Sequence, residues 1–277
     1  MTEFKNFKKT KEYMVCVDSD GCAMDTMNIK HIRCFGPCMV KEWNLWEWEE
    51  EILKEWNRVN LYAISRGINR FVGLATALVD VDQKYIPIDG ADVLMQWTKE
   101  ATELSNRALE EKVMEHPIFQ KALHWSIEAN KEIENLPKEE IHPFEGVKEA
   151  LKHMHEFCNI AVVSSANPEA VKAEWGRFGL LNHVDLICAQ DMGNKEHCIR
   201  NLVAKGYANT HVLMCGDALG DCKAAEANDV LYFPIKVNHE VESWTEILGE
   251  PLRRFCEGTY QGEFQERKKQ EFMVNLQ

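Results

Sequence analysis

Two aspartates near the start of the chain are spaced so that their side chains could share a cation. The apolar run Tyr13-Met-Val-Cys-Val17 leads directly into Asp18-Ser-Asp20-Gly21. The run predicts a buried strand, and the glycine predicts the turn that ends it. Carboxylates held this close repel each other unless a cation or a shared proton offsets the repulsion. Mg²⁺ is the simplest candidate because hard cations prefer oxygen ligands. Aspartate is also common in turns, which is the simpler interpretation of this motif alone.

Three later segments carry polar side chains at or just after the ends of predicted strands. They are Ser164 after Asn159-Ile-Ala-Val-Val163, Lys195 at the start of a predicted helix, and Gly216-Asp217-Ala-Leu-Gly-Asp221. The carboxyl ends of parallel strands share one edge of a sheet, so we expect these side chains in one crevice with Asp18 and Asp20. Acids, a hydroxyl and an ammonium group in one crevice suit metal-assisted phosphoryl transfer.

The elements that would position these residues alternate between strand and helix. Strands are predicted near residues 13–18, 159–164, 186–189, 211–217 and 230–233. This alternation predicts an α/β fold with a doubly wound parallel sheet. Between about Val40 and Leu136, apolar residues recur every three or four positions, which predicts helices only. We therefore expect an α/β core domain (1–28 and 138–277) and an all-helical domain (29–137), with a mostly helical tail from about residue 240.

Composition and charge exclude several classes of function. The chain has 277 residues, 45% of them hydrophobic and 28% charged, and its formal net charge is −13. These values are typical of a globular protein, and no apolar run approaches the length of a membrane span. The acidic balance argues against nucleic-acid partners and anionic membranes, which both need a basic face. A phosphate site would need local positive charge to overcome this field.

The ten cysteines are scattered, and several lie inside apolar strand-like runs. Buried free cysteine behaves as a small hydrophobe, and this usage fits reduced thiols in the cytoplasm. Cys34 and Cys38 have no second pair at zinc spacing, so no zinc site is predicted there.

Taken together, the four polar segments resemble the four motifs of the haloacid dehalogenase-like (HAD) hydrolases. Asp18-Ser-Asp20-Gly21 with Asp25-Thr26 resembles the first motif, and Ser164 after its apolar strand resembles the second. Lys195 resembles the lysine of the third motif, although the residue after it is Glu196 rather than the common proline. Gly216-Asp217-Ala-Leu-Gly-Asp221 resembles the fourth. Each motif alone is weak evidence, but the four in this order are specific.

The resemblance implies a Rossmann-like core, a helical cap inserted after the first motif, and a Mg²⁺-dependent phosphatase. Asp18 would be the nucleophile that forms an aspartyl-phosphate, and Asp20 the general acid and base. Ser164 would donate a hydrogen bond to the phosphoryl group, and Lys195 would neutralise its charge. The Mg²⁺ ligands would be Asp18, the main-chain carbonyl of Asp20 and Asp217, with Asp221 either a further ligand or a residue that supports the ligands. An acid at position 20 favours phosphate esters over the halide-displacing and carbon–phosphorus-cleaving branches.

The substrate is expected to be a small phosphorylated metabolite. Lys30, Ser165, Arg66 and Arg70 are candidate contacts for its anionic groups. The two arginines are four residues apart and would share one face of a helix if Gly67 were tolerated within it. A phosphomutase with the same motifs, and a binding protein that has kept the fold without catalysis, are the alternatives. The sequence leaves the oligomeric state open.

Overall fold

The computed structural model of the protein describes residues 4–277, so residues 1–3 of the predicted core domain lie outside it. The chain divides into two compact units. The α/β unit consists of the chain up to Thr26 together with Glu139–Gln277, and the helical unit is Met27–Lys138. Within the described residues, no helix combines the length and apolar character needed to cross a membrane.

The α/β unit is built on a parallel sheet, which in the described residues has five strands. They are β1 (Tyr13–Val17), β2 (Cys158–Val163), β3 (Leu186–Cys188), β4 (Val212–Gly216) and β5 (Leu231–Pro234). The order across the sheet is β3-β2-β1-β4-β5, and every pairing is parallel. Almost every strand residue is buried, as expected for a sheet covered on both faces. The predicted doubly wound parallel sheet is confirmed, and β1 lies at its centre.

The helical unit contains seven helices. They are α1 (Met27–Lys30), α2 (Gly36–Trp43), α3 (Glu49–Leu61), α4 (Arg70–Lys84), α5 (Ala91–Glu100), α6 (Asn106–Glu110) and α7 (Pro117–Glu134). Its core contains Trp56, Phe71 and Trp125, whose rings meet edge to face. Such pairs add to the stabilisation that aromatic burial provides.

Two details of this unit differ from the sequence predictions. Helical structure begins at Met27 rather than near Val40. The apolar pattern does not show this early start because the segment contains a π-helical turn, His31–Phe35, which holds more residues per turn than an α-helix and so disrupts the usual spacing. The apolar spacing predicts helix throughout this region, but α5 ends at Glu100. Ser105 then starts a new helix by accepting a hydrogen bond from the main-chain N–H of Ala108.

Among its described residues, the α/β unit contributes seven further α-helices. They are α8 (Val147–Met154), α9 (Pro168–Arg177), α10 (Lys195–Val203), α11 (Leu219–Glu226), α12 (Glu240–Ile247), α13 (Glu250–Cys256) and α14 (Glu263–Asn275). Asn167 begins α9 by accepting hydrogen bonds from two main-chain N–H groups, and Pro168 occupies the first turn. Asn194, directly before Lys195, begins α10 by accepting a hydrogen bond from the main-chain N–H of His197.

The C-terminal segment covers the outer edge of β5. Gln265 accepts a hydrogen bond from the main-chain N–H of Tyr232 at 3.1 Å. The hydroxyl group of Tyr260 donates to the carbonyl oxygen of the same residue at 2.8 Å. Side chains therefore satisfy main-chain groups that an edge strand would otherwise leave open.

Candidate active site

The candidate site is built on the adjacent carboxyl ends of β1 and β4. Asp18 directly follows β1, and its main-chain N–H donates to the carbonyl oxygen of Cys215 at 3.0 Å. Asp217 directly follows β4. Asp18 is only 5% exposed and Asp217 only 1%. The sheet thus carries two carboxyl groups to its edge and holds them away from bulk water.

A third carboxylate, from Asp221 in the first turn of α11, completes a buried cluster. One oxygen atom from each of Asp18, Asp217 and Asp221 lies within 4.8 Å of the others. The Oδ2 atom of Asp221 accepts a hydrogen bond from the main-chain N–H of Ala218 at 3.1 Å. A Cβ atom at Gly216 would lie 2.3 Å from Cγ of Asp221, so the close approach of this carboxylate requires glycine there.

Lys195 brings a positive charge between two of these acids. Its Nζ atom lies 2.8 Å from Oδ2 of Asp18 and 2.6 Å from Oδ1 of Asp221. Burial alone would lower the pKa of this ammonium group, but Asp18 and Asp221 raise it above its usual value. Lys195 therefore remains charged at neutral pH, and it directly stabilises the ionised form of Asp18.

One ammonium group does not fully offset the repulsion among three acids. Burial raises the pKa of the Asp18 carboxyl group; Lys195 opposes this shift, whereas Asp221 and Asp217 add to it. A divalent cation bound to the carboxylate oxygens would remove this penalty. Because the donors are all hard oxygen atoms, the cluster fits the ligand preference of Mg²⁺.

Asp20 is part of the turn that follows Asp18. Gly21 has φ of +80°, a conformation that glycine adopts without strain, and its N–H donates to the carbonyl oxygen of Met24. The hydroxyl group of Thr26 donates to Oδ1 of Asp20 at 2.6 Å, which fixes the direction of this carboxylate. Sequence reasoning assigned no role to Thr26. The signal that could have found it was its place in the segment that resembles the first motif.

Ser164 follows β2, the strand next to β1, and lies at the same edge of the sheet. Its main-chain N–H donates to the carbonyl oxygen of Cys188 at 2.9 Å. Its Oγ atom accepts a hydrogen bond from the N–H of Ala166 at 3.1 Å, so its hydroxyl hydrogen is directed elsewhere. Ser164 is buried, whereas Ser165 is exposed.

The predicted shared helix face of Arg66 and Arg70 is wrong. Helix α3 ends at Leu61, α4 begins at Arg70, and Gly67 has φ of +71° in the turn between them. A positive φ is incompatible with a continuous right-handed helix. Arg66 is buried and donates to the carbonyl oxygen of Leu61 at 2.8 Å.

The other two candidate cations of the helical unit are also well packed. The guanidinium group of Arg70 donates to Oδ1 of Asn130 at 2.6 Å and lies 4.8 Å from the ring centre of Phe35. Lys30 is only 6% exposed and ends α1.

Comparisons with known proteins agree with this fold. The family model described as haloacid dehalogenase-like hydrolase matches residues 92–233, which is more than half of the chain. Among solved structures, a candidate phosphoglycolate phosphatase from Lactobacillus delbrueckii subsp. bulgaricus ATCC BAA-365 has a TM-score of 0.51 at 13% sequence identity, covering 81% of this chain and 86% of that one. A hydrolase from Pseudomonas syringae has a TM-score of 0.49 at 12% identity, covering 85% and 90%. No curated protein sequence matches the chain.

Proposed function

The chain belongs to the haloacid dehalogenase-like hydrolase family, and we propose that it is a Mg²⁺-dependent phosphatase of a small phosphorylated metabolite. The observation that carries this proposal is the meeting of Lys195 with the buried carboxylates of Asp18, Asp217 and Asp221. A chain with net charge −13 can hold a phosphoryl group only where local cations outweigh its overall field. Lys195 and a metal ion would supply that local charge.

The first half of the proposed reaction transfers the phosphoryl group to Asp18. Its carboxylate oxygen attacks phosphorus, and the bond between phosphorus and the ester oxygen breaks. Asp20 donates a proton to the departing oxygen, so the alcohol leaves in neutral form. The hydrogen bond from Thr26 supports this role because it holds the Asp20 carboxyl group in a defined direction.

The second half releases inorganic phosphate. Asp20, now ionised, takes a proton from water, and the water oxygen attacks the phosphorus of the aspartyl-phosphate. The bond between phosphorus and the Asp18 oxygen breaks, which restores the free carboxylate. Lys195 stabilises the Asp18 carboxylate as it leaves, and it stabilises the negative charge on the phosphoryl oxygens in both halves of the reaction. Ser164 donates its hydroxyl hydrogen to one of the phosphoryl oxygens.

The proposed Mg²⁺ ligands are the carboxylates of Asp18 and Asp217, the main-chain carbonyl of Asp20, and Asp221. When bound, the ion would reduce the repulsion between the attacking carboxylate and the phosphoryl oxygens. Both oxygens of Asp221 already accept hydrogen bonds, from Lys195 and from Ala218. We therefore propose that Asp221 also orients Lys195, in addition to its place among the proposed metal ligands.

Ser165, Lys30 and Arg70 are each proposed separately as a contact for an anionic substrate. Cationic side chains would attract an anionic substrate to this acidic chain. Arg66 is left out of the set because it is only 2% exposed and donates to the carbonyl oxygen of Leu61, whereas Arg70 is partly exposed. Replacement of Lys30 by methionine is expected to raise KM with little change in kcat.

A screen of phosphorylated metabolites on the purified protein, with and without Mg²⁺, tests the function. Asp18→Asn serves as the blank. Asp25→Asn is the matched control because it makes the same change of aspartate to asparagine just after the turn that contains Asp20 and Gly21. We expect Mg²⁺-dependent release of inorganic phosphate by the native protein and the control, and none by the blank. Mass spectrometry of rapidly quenched reactions should detect phosphate on the peptide containing Asp18.

The products also separate the alternatives. Formation of an isomerised phosphosugar without release of inorganic phosphate would indicate that the protein is a phosphomutase rather than a phosphatase. If no phosphate ester in the screen is turned over while Mg²⁺ is bound, the protein would be a binding protein with the same fold.

A further inference from the structure

Ser19, the residue between the two proposed catalytic aspartates, is held by a hydrogen bond from a distant helix. The indole Nε1–H of Trp175, in α9, donates to Oγ of Ser19 at 2.9 Å. Neither residue is more than 1% exposed. In such a site the bond is sheltered from water, and loss of either partner would leave a buried polar group unsatisfied.

The main chain of Ser19 is fixed as firmly as its side chain. Its carbonyl oxygen accepts hydrogen bonds from the N–H groups of Cys22, Ala23 and Met24, at 3.3, 3.0 and 2.8 Å. One residue thus anchors the turn through its carbonyl group and contacts α9 through its hydroxyl group. Because Ser19 is bonded covalently to Asp18 and Asp20, its conformation contributes to the separation of their carboxyl groups.

We propose that Trp175 is a positioning residue, which acts through Ser19 to hold Asp18 and Asp20 at the separation that phosphoryl transfer needs. The inference rests on the proposed function of these two aspartates. Small displacements of reacting groups reduce rates strongly, by up to about 10²-fold for 1 Å. A hydrogen bond that fixes the residue between nucleophile and proton donor is therefore expected to affect kcat rather than substrate binding.

A second buried indole provides the comparison for this role. Trp244, in α12, donates Nε1–H to the carbonyl oxygen of Cys22 at 2.9 Å, and both residues are buried. The bond has the same donor and the same length, but its acceptor lies beyond Gly21 and is not bonded to either aspartate. Trp244→Phe is thus a matched control for the loss of a buried indole N–H in the same unit.

The test uses Trp175→Phe, Ser19→Ala and the double variant, with Trp244→Phe as the control. We expect each single variant to lower kcat about 10-fold and to change KM less than about 2-fold. The double variant should lose about 10-fold rather than 100-fold, because both changes remove the same hydrogen bond. Trp244→Phe should lower the melting temperature to a similar extent but change kcat less than about 2-fold.

Hydrogen exchange of the Trp175 indole, followed by nuclear magnetic resonance, gives a readout independent of turnover. Exchange should be slow in the native protein and much faster in Ser19→Ala. Equal exchange in the two proteins, an equal loss of kcat in Trp244→Phe, or multiplicative losses in the double variant would each overturn the inference and leave the phosphatase proposal intact. A native protein without phosphatase activity would overturn the proposed function, and with it the effect of Trp175 on catalysis.

Discussion

The ammonium group of Lys195 lies 2.8 Å from the carboxylate of Asp18, although the whole helical unit separates the two residues in the sequence. The parallel sheet makes this contact possible because β1 is central and α10 begins at the same sheet edge. The same ammonium group lies 2.6 Å from Asp221, so a single cation links three segments of the chain. The charge arrangement of the site is therefore set before any metal ion or substrate arrives.

Removal of this cation should impair both stability and turnover. Lys195→Ala leaves the buried carboxylates of Asp18 and Asp221 without their partner, so we expect a loss of about 3 kcal/mol in the free energy of unfolding without Mg²⁺. The rate should fall about 10²–10³-fold, because charge stabilisation of the phosphoryl group is lost. Chemical denaturation and steady-state kinetics measure the two effects.

Lys205→Ala is the control for this prediction, since Lys205 lies in the turn after α10. It should leave turnover within about twofold of the native value, as expected for a surface charge. A similar loss of rate in both variants would contradict the assignment of Lys195 to the site.

Mg²⁺ should stabilise the folded protein through the carboxylate cluster. At about one hundred times its dissociation constant, a ligand that binds only the folded state adds about 2.7 kcal/mol to the free energy of unfolding. Asp217→Asn should abolish most of this gain, whereas the exposed Asp191→Asn should retain it. Thermal unfolding with and without Mg²⁺ gives the comparison, and equal stabilisation of both variants would argue against a metal at Asp217.

The hydrogen bond from Thr26 to Asp20 should matter for proton transfer. Thr26→Val keeps the shape of this fully buried side chain but removes the donor. We expect kcat to fall about 10-fold, consistent with a misdirected general acid, while KM stays nearly constant. Thr26→Ser, which restores the hydroxyl group, should recover most of the rate. If Thr26→Ser does not restore kcat, the methyl group of Thr26 rather than its hydrogen bond to Asp20 would be the feature that catalysis requires.

The thiols should be largely unreactive in the folded protein. Nine of the ten cysteines are buried and Cys256 is half-buried. Burial raises the pKa of the Cys34 thiol to about 11, so at pH 8 it keeps its proton and the reactive thiolate is scarce. Iodoacetamide at pH 8 should modify Cys256 first, and the others only after denaturation. Peptide mass spectrometry measures the order, and early modification of Cys34 would contradict it.

Local patterns in the sequence were sufficient to predict the parallel sheet and the points where its strands end. The apolar runs before Asp18 and Asp217 end where the strands end, since apolar strands buried on both faces leave a clear signature. Asn167 followed by Pro168 is likewise a local signal for the start of a helix, and α9 begins there.

Contacts between distant segments could not be predicted in this way. The indole of Trp175 gives no local sign that it will reach Ser19, because the pairing depends on how α9 packs against the sheet. The turn at Gly67 was missed for a related reason. A glycine inside a helical pattern is compatible both with a helix and with a positive φ, and tertiary packing decides between them.

The C-terminal segment has a consequence for association between molecules. An open strand at the side of a sheet is a template on which another chain can add a strand, and repeated addition leads to fibrils. Gln265 and Tyr260 form hydrogen bonds with the main-chain N–H and carbonyl oxygen of Tyr232, the groups with which an added strand would have to pair. These two side chains thus protect the β5 side of the molecule against templated growth.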